Sequence, residues 1–88
     1  MFILGQLVAT PGALEALERN HQVPSDFLER HLNHDWGDLD DDDKRENDYS
    51  VLHGFRILSA YTLKDGTRVW IITEADRSVT TILLPSEY

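Results

Sequence analysis

The spacing of apolar positions changes along the chain. Between Thr10 and Leu52 they recur three and four apart, and from Arg56 onward they recur two apart. The first spacing belongs to amphipathic helices and the second to half-buried strands. Thr10-Pro11 reads as a helix start, with Thr10 as N-cap and Pro11 at the first helical position, where its missing N–H costs nothing. Ala13, Leu14, Ala16 and Leu17 supply the apolar side, and Asn20-His21-Gln22 ends this helix after about two turns. Pro24-Ser25-Asp26 resets the chain with Ser25 as the expected cap. Phe27, Leu28, His31 and Leu32 then form one apolar stripe, with Asp26 and Arg30 placed to pair on the exposed side. Gly37 stops this second helix, or a short extension of it through Trp36. A third helix is capped by Asp40 or Asp41, places Arg45, Tyr49 and Leu52 on one face, and breaks at Gly54.

The strand-like stretches are rich in β-branched and aromatic residues. Phe2–Ala9 is an opening strand with poor alternation, in which Gly5 marks a bulge or a close approach. Arg56–Leu63 and Val69–Thr73 flank Asp65-Gly66, the dipeptide most typical of a two-residue hairpin turn. That turn would set Tyr61 opposite Trp70 and Ser59 opposite Ile72. One face then holds Ile57, Tyr61, Leu63, Trp70 and Ile72, and the other Leu58, Ala60, Thr62, Val69 and Ile71. A five-residue turn from Glu74 to Ser78 would put Thr73 opposite Val79. It leads to a last strand that Thr80 and Thr81 make more polar, as suits an outward position, and that Pro85 ends. The expected architecture is α+β: two or three short N-terminal helices packed on a small three- or four-stranded antiparallel sheet. At 88 residues the chain is one domain, 1–88, with an acidic link at 35–44.

Charge sharpens this picture. The formal net charge is −8, and it is segregated. Ten acids against three bases lie between Asp26 and Asp48, whereas Tyr49–Tyr88 is balanced at four of each. Such a field opposes direct binding to phosphate backbones and suits a basic protein partner, or serves solubility alone. Cysteine is absent, which excludes disulfides, a thiol nucleophile and cysteine–metal clusters. With no signal-peptide pattern and no membrane-length apolar run, the expected setting is cytoplasmic.

Several stretches together carry a resemblance. They are Val8–Leu17, Arg30-His31, Asp35-Trp36-Gly37-Asp38-Leu39, Asn47, Leu58-Ser59-Ala60-Tyr61 and Trp70–Pro85. Over nearly its whole length the chain resembles a family of small bacterial proteins found on plasmids and other mobile elements. The resemblance implies a bacterial setting and a mobile-element role, and it brings no catalytic residues with it.

Candidate functional residues fall in two places. Glu74, Asp76, Arg77 and Ser78 share one turn, either as a recognition loop with Arg77 as an anion-binding fork, or as a self-bonded turn in which Asp76 and Ser78 accept backbone N–H groups and Arg77 pairs with an acid. Trp36, Asp38, Asp40, Asp41, Asp42 and Asp43 form the acidic candidate surface. There Trp36 is either an exposed anchor or, the preferred reading, a plug at the core's edge, and the four aspartates are also explained as a cap and a solvated first turn. His31, His34, Asp35 and Asp38 lack the convergence a metal needs, and the aspartate run lacks the alternation and glycine of a calcium loop, so no metal or cofactor is expected.

These features lead to a non-enzymatic protein-interaction or accessory module, in one version a mobile-element modulator of a basic nucleic-acid-binding protein. An alternative is a messenger-RNA-cleaving, toxin-like ribonuclease using Arg56, Arg68, Arg77, His53 and Tyr88, which the net charge opposes. A third reading is a structural subunit that uses its open sheet edge in a homodimer or other oligomer.

Overall fold

The computed structural model describes residues 2–88. Strand β1 (Gln6–Ala9) leads to helices α1 (Pro11–Arg19), α2 (Pro24–Leu32) and α3 (Asp41–His53). Strands β2 (Ile57–Thr62), β3 (Arg68–Thr73) and β4 (Val79–Leu83) follow, and a single 3-10 turn spans Pro85–Glu87. The fold is therefore α+β, with short helices on a four-stranded sheet ordered β1-β4-β3-β2. The sheet is mixed rather than purely antiparallel, because β1 returns beside β4 in parallel. That pairing needs a long crossover, which the three helices supply. None of the helices among the described residues is long and apolar enough to cross a membrane.

The helix ends follow local chemistry. Thr10 Oγ1 accepts from the Ala13 N–H at 3.2 Å, with Pro11 first in the helix. Asp40 accepts from the Asp43 N–H at 2.8 Å, and Gly54 closes α3 in the left-handed region. At α2 the expected cap is displaced. Val23 holds the N-cap position, Pro24 is first in the helix, and Asp26 reaches back to the Val23 N–H at 3.2 Å. Pro24 can begin the helix because the first turn's N–H groups have no intrahelical acceptor. Asp26 is thereby occupied, and Arg30 pairs with Asp35 at 2.6 Å instead, its guanidinium lying over the Tyr61 ring. On α3 the buried side chains are Asn47 and Ser50, while Tyr49 and Leu52 face outward. The first turn of this helix takes up Asp41–Lys44, so the link before it is confined to 33–40.

The strand register corrects the expected faces. Tyr61 pairs with Val69 and Ala60 with Trp70. The β2–β3 loop has three residues, Lys64, Asp65 and Gly66, closed by Gly66 N–H to Leu63 at 2.9 Å and Leu63 N–H to Thr67 at 2.7 Å. Gly66 at φ 91° is the left-handed residue such a loop requires. The β3–β4 turn, by contrast, is one residue shorter than expected. Thr73 pairs with Thr80, and the Glu74 N–H still bonds the Val79 carbonyl at 3.0 Å. The two one-residue errors cancel between β2 and β4 and invert only β3, because side chains alternate with period two. Tyr61, Val69, Ile71 and Ile82 thus share the core beneath α1 and α2 with Ala13, Ala16, Leu17, Phe27 and Leu28. Trp70 turns to the opposite face. Moreover β4 is interior, not outward, and its Thr80 is fully buried.

A second, smaller core joins Phe2, Trp36 and Ile57, with Leu4, Leu32, Leu39 and Val51 packed against it. It anchors the N-terminal segment and the α2–α3 link to the sheet.

Candidate functional site

The sheet face that α1 and α2 do not cover carries a groove of about 560 Å³. Leu58, Ala60 and Trp70 floor it. Asp38, Leu39, Asp40 and Asp43 form one rim, and Arg68 and Pro85 lie on the others. The acidic rim is placed by backbone pairing. Gly37 forms a parallel bridge with Ala60. The Ala60 N–H donates to Trp36 at 3.3 Å, and the Asp38 N–H donates to Ala60 at 2.8 Å. The Asp38 carboxylate then accepts from the Thr62 hydroxyl at 2.6 Å. Capping α3 fixes Asp40, and Asp43 follows one turn on. The ion pairs among the described residues are Arg19–Asp65, Arg30–Asp35 and Arg45–Asp42, so none neutralises Asp38, Asp40 or Asp43. The groove thus combines an aromatic and aliphatic floor with three uncompensated carboxylates and a single cation, Arg68.

The sequence candidates distribute unevenly. Asp38, Asp40 and Asp43 come together in the groove, whereas Asp41 and Asp42 sit exposed on the first turn of α3 outside its lining. Trp36 is only 3% exposed, so it plugs the core and offers no surface anchor. Its indole N–H donates to Asp48 at 3.0 Å, and its ring stacks on His34 at 5.1 Å. A Trp in this place fills the gap between the link and Ile57, where leaving it exposed would open the second core.

Glu74, Asp76, Arg77 and Ser78 bind one another and the end of α3. Asp76 accepts from the Ser78 N–H at 3.0 Å and the Ser78 hydroxyl at 2.6 Å, bonds that hold its carboxyl below the usual range. Arg77, at φ 61°, donates to the carbonyls of Phe55 at 2.7 Å, Ser50 at 3.0 Å and Glu74 at 3.1 Å. Its positive charge thus meets the negative end of α3, where the Ser50 carbonyl also accepts from the Gly54 N–H. The turn and the acidic rim are separated by the length of α3, about 20 Å for its thirteen residues. Arg77 also departs from the ribonuclease constellation. Arg56 lies over the Tyr88 ring at 5.6 Å, and Tyr88 meets Trp70 at 5.8 Å, on the groove side with Arg68. Arg77 is held at the far end of α3 instead, and His53 stacks on Tyr49 at 4.1 Å.

A buried polar chain lies outside the sequence candidates. His31 Nδ1 is 2.5 Å from Ser59 Oγ, and its Nε2 is 2.9 Å from Thr73 Oγ1. Thr73 Oγ1 is 2.8 Å from Thr80 Oγ1, which donates to the Leu4 carbonyl at 2.7 Å. All four side chains are fully buried. Burial, with the nearby His34 adding a smaller effect, lowers the His31 pKa to about 4. The serine–histidine contact is therefore closed to any substrate. The sequence does carry a signal for this chain: Thr73 and Thr80 are polar positions whose alternation puts them on the core face once the register is correct. Both His31 nitrogens are occupied, and no group of three or more His, Cys, Asp or Glu suited to a metal occurs among the described residues.

No known protein family, curated protein or solved structure matches the chain.

Proposed function

We propose that this protein is a non-enzymatic interaction module whose groove over Trp70 receives a basic segment of a protein partner. The observation that carries the proposal is the convergence of Asp38, Asp40 and Asp43 on a floor of Leu58, Ala60 and Trp70. An arginine or lysine side chain matches that chemistry. Its aliphatic stem or guanidinium plane can lie on the indole while its charge meets the carboxylates. Nucleic-acid-binding proteins present such basic segments on their phosphate-contacting surfaces, which makes them the preferred partner class. The groove would then act as a competitor for the polyanion, in keeping with the net charge of −8. A cytoplasmic, bacterial, mobile-element setting belongs to the same proposal, and it rests on the sequence resemblance and the lack of cysteine.

The test uses a short peptide of alternating arginine and apolar residues, titrated into isotopically labelled protein. A size-matched acidic peptide serves as control. Saturable shifts of the Trp70 indole, Ala60 and Leu58 that weaken with added salt are expected. They should be lost in the combined Asp38→Asn, Asp43→Asn variant, which leaves the Asp40 cap in place. Equal shifts with the acidic peptide, or shifts confined to the Glu74–Ser78 turn, would move the recognition surface elsewhere.

A further inference from the structure

The two edges of the sheet are finished differently. Along β2, the Trp36–Asp38 link bridges Ala60, and the Asn47 side chain bonds both the N–H and the C=O of Leu58, at 3.1 and 2.5 Å. That edge is sealed. Along β1, no strand among the described residues pairs with the side away from β4. The Gln6 N–H bonds Ser78 and the Thr10 N–H bonds Ile82, so in this parallel register the even-numbered residues face β4. Leu7 therefore turns its N–H and C=O outward. Between Gln6 and Ala9 there is no charge, no proline and no bulge to guard the edge.

The helical layer also stops short of this edge. A shallow apolar cavity of about 190 Å³ lies between β1 and α2, lined by Leu7, Val8, Ala9, Pro24, Leu28 and Ile82. Leu7 is 54% exposed and Val8 41%. Charge selects the occupant. The first charged side chain of the sequence is Glu15, and the net −8 is carried entirely from it onward. Copies of an acidic chain repel one another on most approaches, and this uncharged edge is where apposition is least opposed. The register is also self-complementary. With Leu7 opposite its own counterpart about a two-fold axis, the two leucines exchange N–H and C=O bonds as an antiparallel hydrogen-bonded pair.

We propose that β1 pairs antiparallel with β1 of a second copy of this chain, joining two sheets into one continuous sheet. Leu7 of each copy then lies against the Pro24–Leu28 cavity of the other. The short strand and shallow cavity make this a small interface, so the dimer is weak and concentration-dependent. Screening the repulsion between two acidic copies strengthens it, so added salt favours dimer while weakening any basic ligand in the groove.

Sedimentation equilibrium from low micromolar to millimolar concentration tests the pairing. The mass should rise from the 10.1 kDa of one chain toward twice that value, and more readily at high salt. Leu7→Pro removes only the outward donor and should leave the β1–β4 ladder intact. Leu7→Glu puts like charges across the axis. Both should stay at the single-chain mass, whereas Leu52→Glu, at the far end of α3, should behave as wild type. Circular dichroism and thermal melts establish that each variant is folded. Amide exchange of wild type gives an independent readout: the Leu7 N–H should become protected as mass doubles. A wild type that stays at 10.1 kDa throughout, a dimer that persists in folded Leu7→Pro and Leu7→Glu, or a doubled mass with an unprotected Leu7 N–H would each overturn the proposal.

Discussion

The chain of hydroxyls around His31 has only one direction of donation. Thr80 spends its proton on the Leu4 carbonyl, so Thr73 must donate to Thr80. Thr73 then needs a donor, which is His31 Nε2–H, and the bare Nδ1 accepts from Ser59. His31 is thereby fixed as the neutral Nε2–H tautomer. Long-range proton–nitrogen correlation should show that tautomer, and an Nδ1–H signal would break the deduced order. Protonating Nδ1 would leave the Ser59 hydroxyl facing a donor inside the core. The titratable group that adds to the shift of this ring is His34; Phe2 and Trp36 pack on it as apolar edges. The sign of the pH dependence follows. The folded pKa, about 4, lies below the ordinary 6.5, so the unfolded chain binds the proton more tightly. The resulting stability is complete above pH 6.5 and is lost as pH falls toward 4, amounting in full to about 3 kcal/mol. Urea unfolding at pH 7 and pH 5 should show most of that loss. His31→Leu should be less stable at pH 7, because it strands Ser59 and Thr73, yet flat between pH 7 and 5. A wild type equally stable at both pH values would contradict the buried neutral imidazole.

Among the elements, β2 depends most on its neighbours, because an edge strand left bare would recruit other chains. Asn47 acts there as a substitute for a strand, presenting one donor and one acceptor to Leu58. Asn47→Ala should cost about 2 to 4 kcal/mol in chemical unfolding and increase aggregation, since it leaves two backbone groups unpaired beneath α3. Gly37 holds the other half of this edge at φ 74°, and a Cβ there would overlap the Ala60 carbonyl. Gly37→Ala should therefore destabilise the fold and perturb the groove together, seen as lower protection of Ala60 in amide exchange. Arg77→Ala should cost about 2 kcal/mol by removing its bonds to the Ser50, Phe55 and Glu74 carbonyls, and it should leave groove binding unchanged if recognition lies at the acidic rim. Much at this scale was legible in the sequence. Thr10-Pro11, Asp40 and Gly54 bound their helices through local chemistry, and the change of period placed the strands. The register was not legible, because one loop residue separates a two-residue turn from the three-residue turn that Lys64-Asp65-Gly66 adopts. That slip alone turned Trp70 from groove floor into supposed core. Asn47 sealing β2 and Thr80 serving a buried chain were hidden for a related reason. Their roles come from partners distant in sequence, and polarity alone suggested solvent. Of the groove, Asp38, Asp40 and Asp43 were visible as acids, but the floor that makes them a site was not.

The whole molecule is closed by its two ends. β1 lies beside β4, and Thr10, Gly12 and Leu84 converge on the Glu87 carboxylate. The Thr10 hydroxyl donates at 2.5 Å, the Gly12 N–H at 3.3 Å and the Leu84 N–H at 2.9 Å. Thr10 serves twice, since the same oxygen caps α1. Glu87 therefore locks the 3-10 turn onto the start of α1 and keeps β1 in register with β4. Those bonds, the Thr10 hydroxyl first, lower its pKa from the ordinary 4.5. The sign differs in window from that of His31. A depressed carboxyl contributes stability above pH 4.5 that disappears as pH falls through the folded value. Asp35, held down first by Arg30, and Asp76, held down first by Ser78, act in the same low range. Acid unfolding should accordingly proceed in two stages, a weakening between pH 6.5 and about 4 from His31 and a further loss below it from the carboxyls. Glu87→Gln should melt a few degrees lower than wild type at pH 7, with the difference narrowing below pH 4 as the native carboxyl protonates. His31→Leu should remove the first stage and keep the second. A Glu87→Gln deficit that stayed constant down to pH 3 would mean that the bonds to Thr10, Gly12 and Leu84 do not depend on the carboxylate charge. In that case the closure of the two ends would rest on β1–β4 pairing alone.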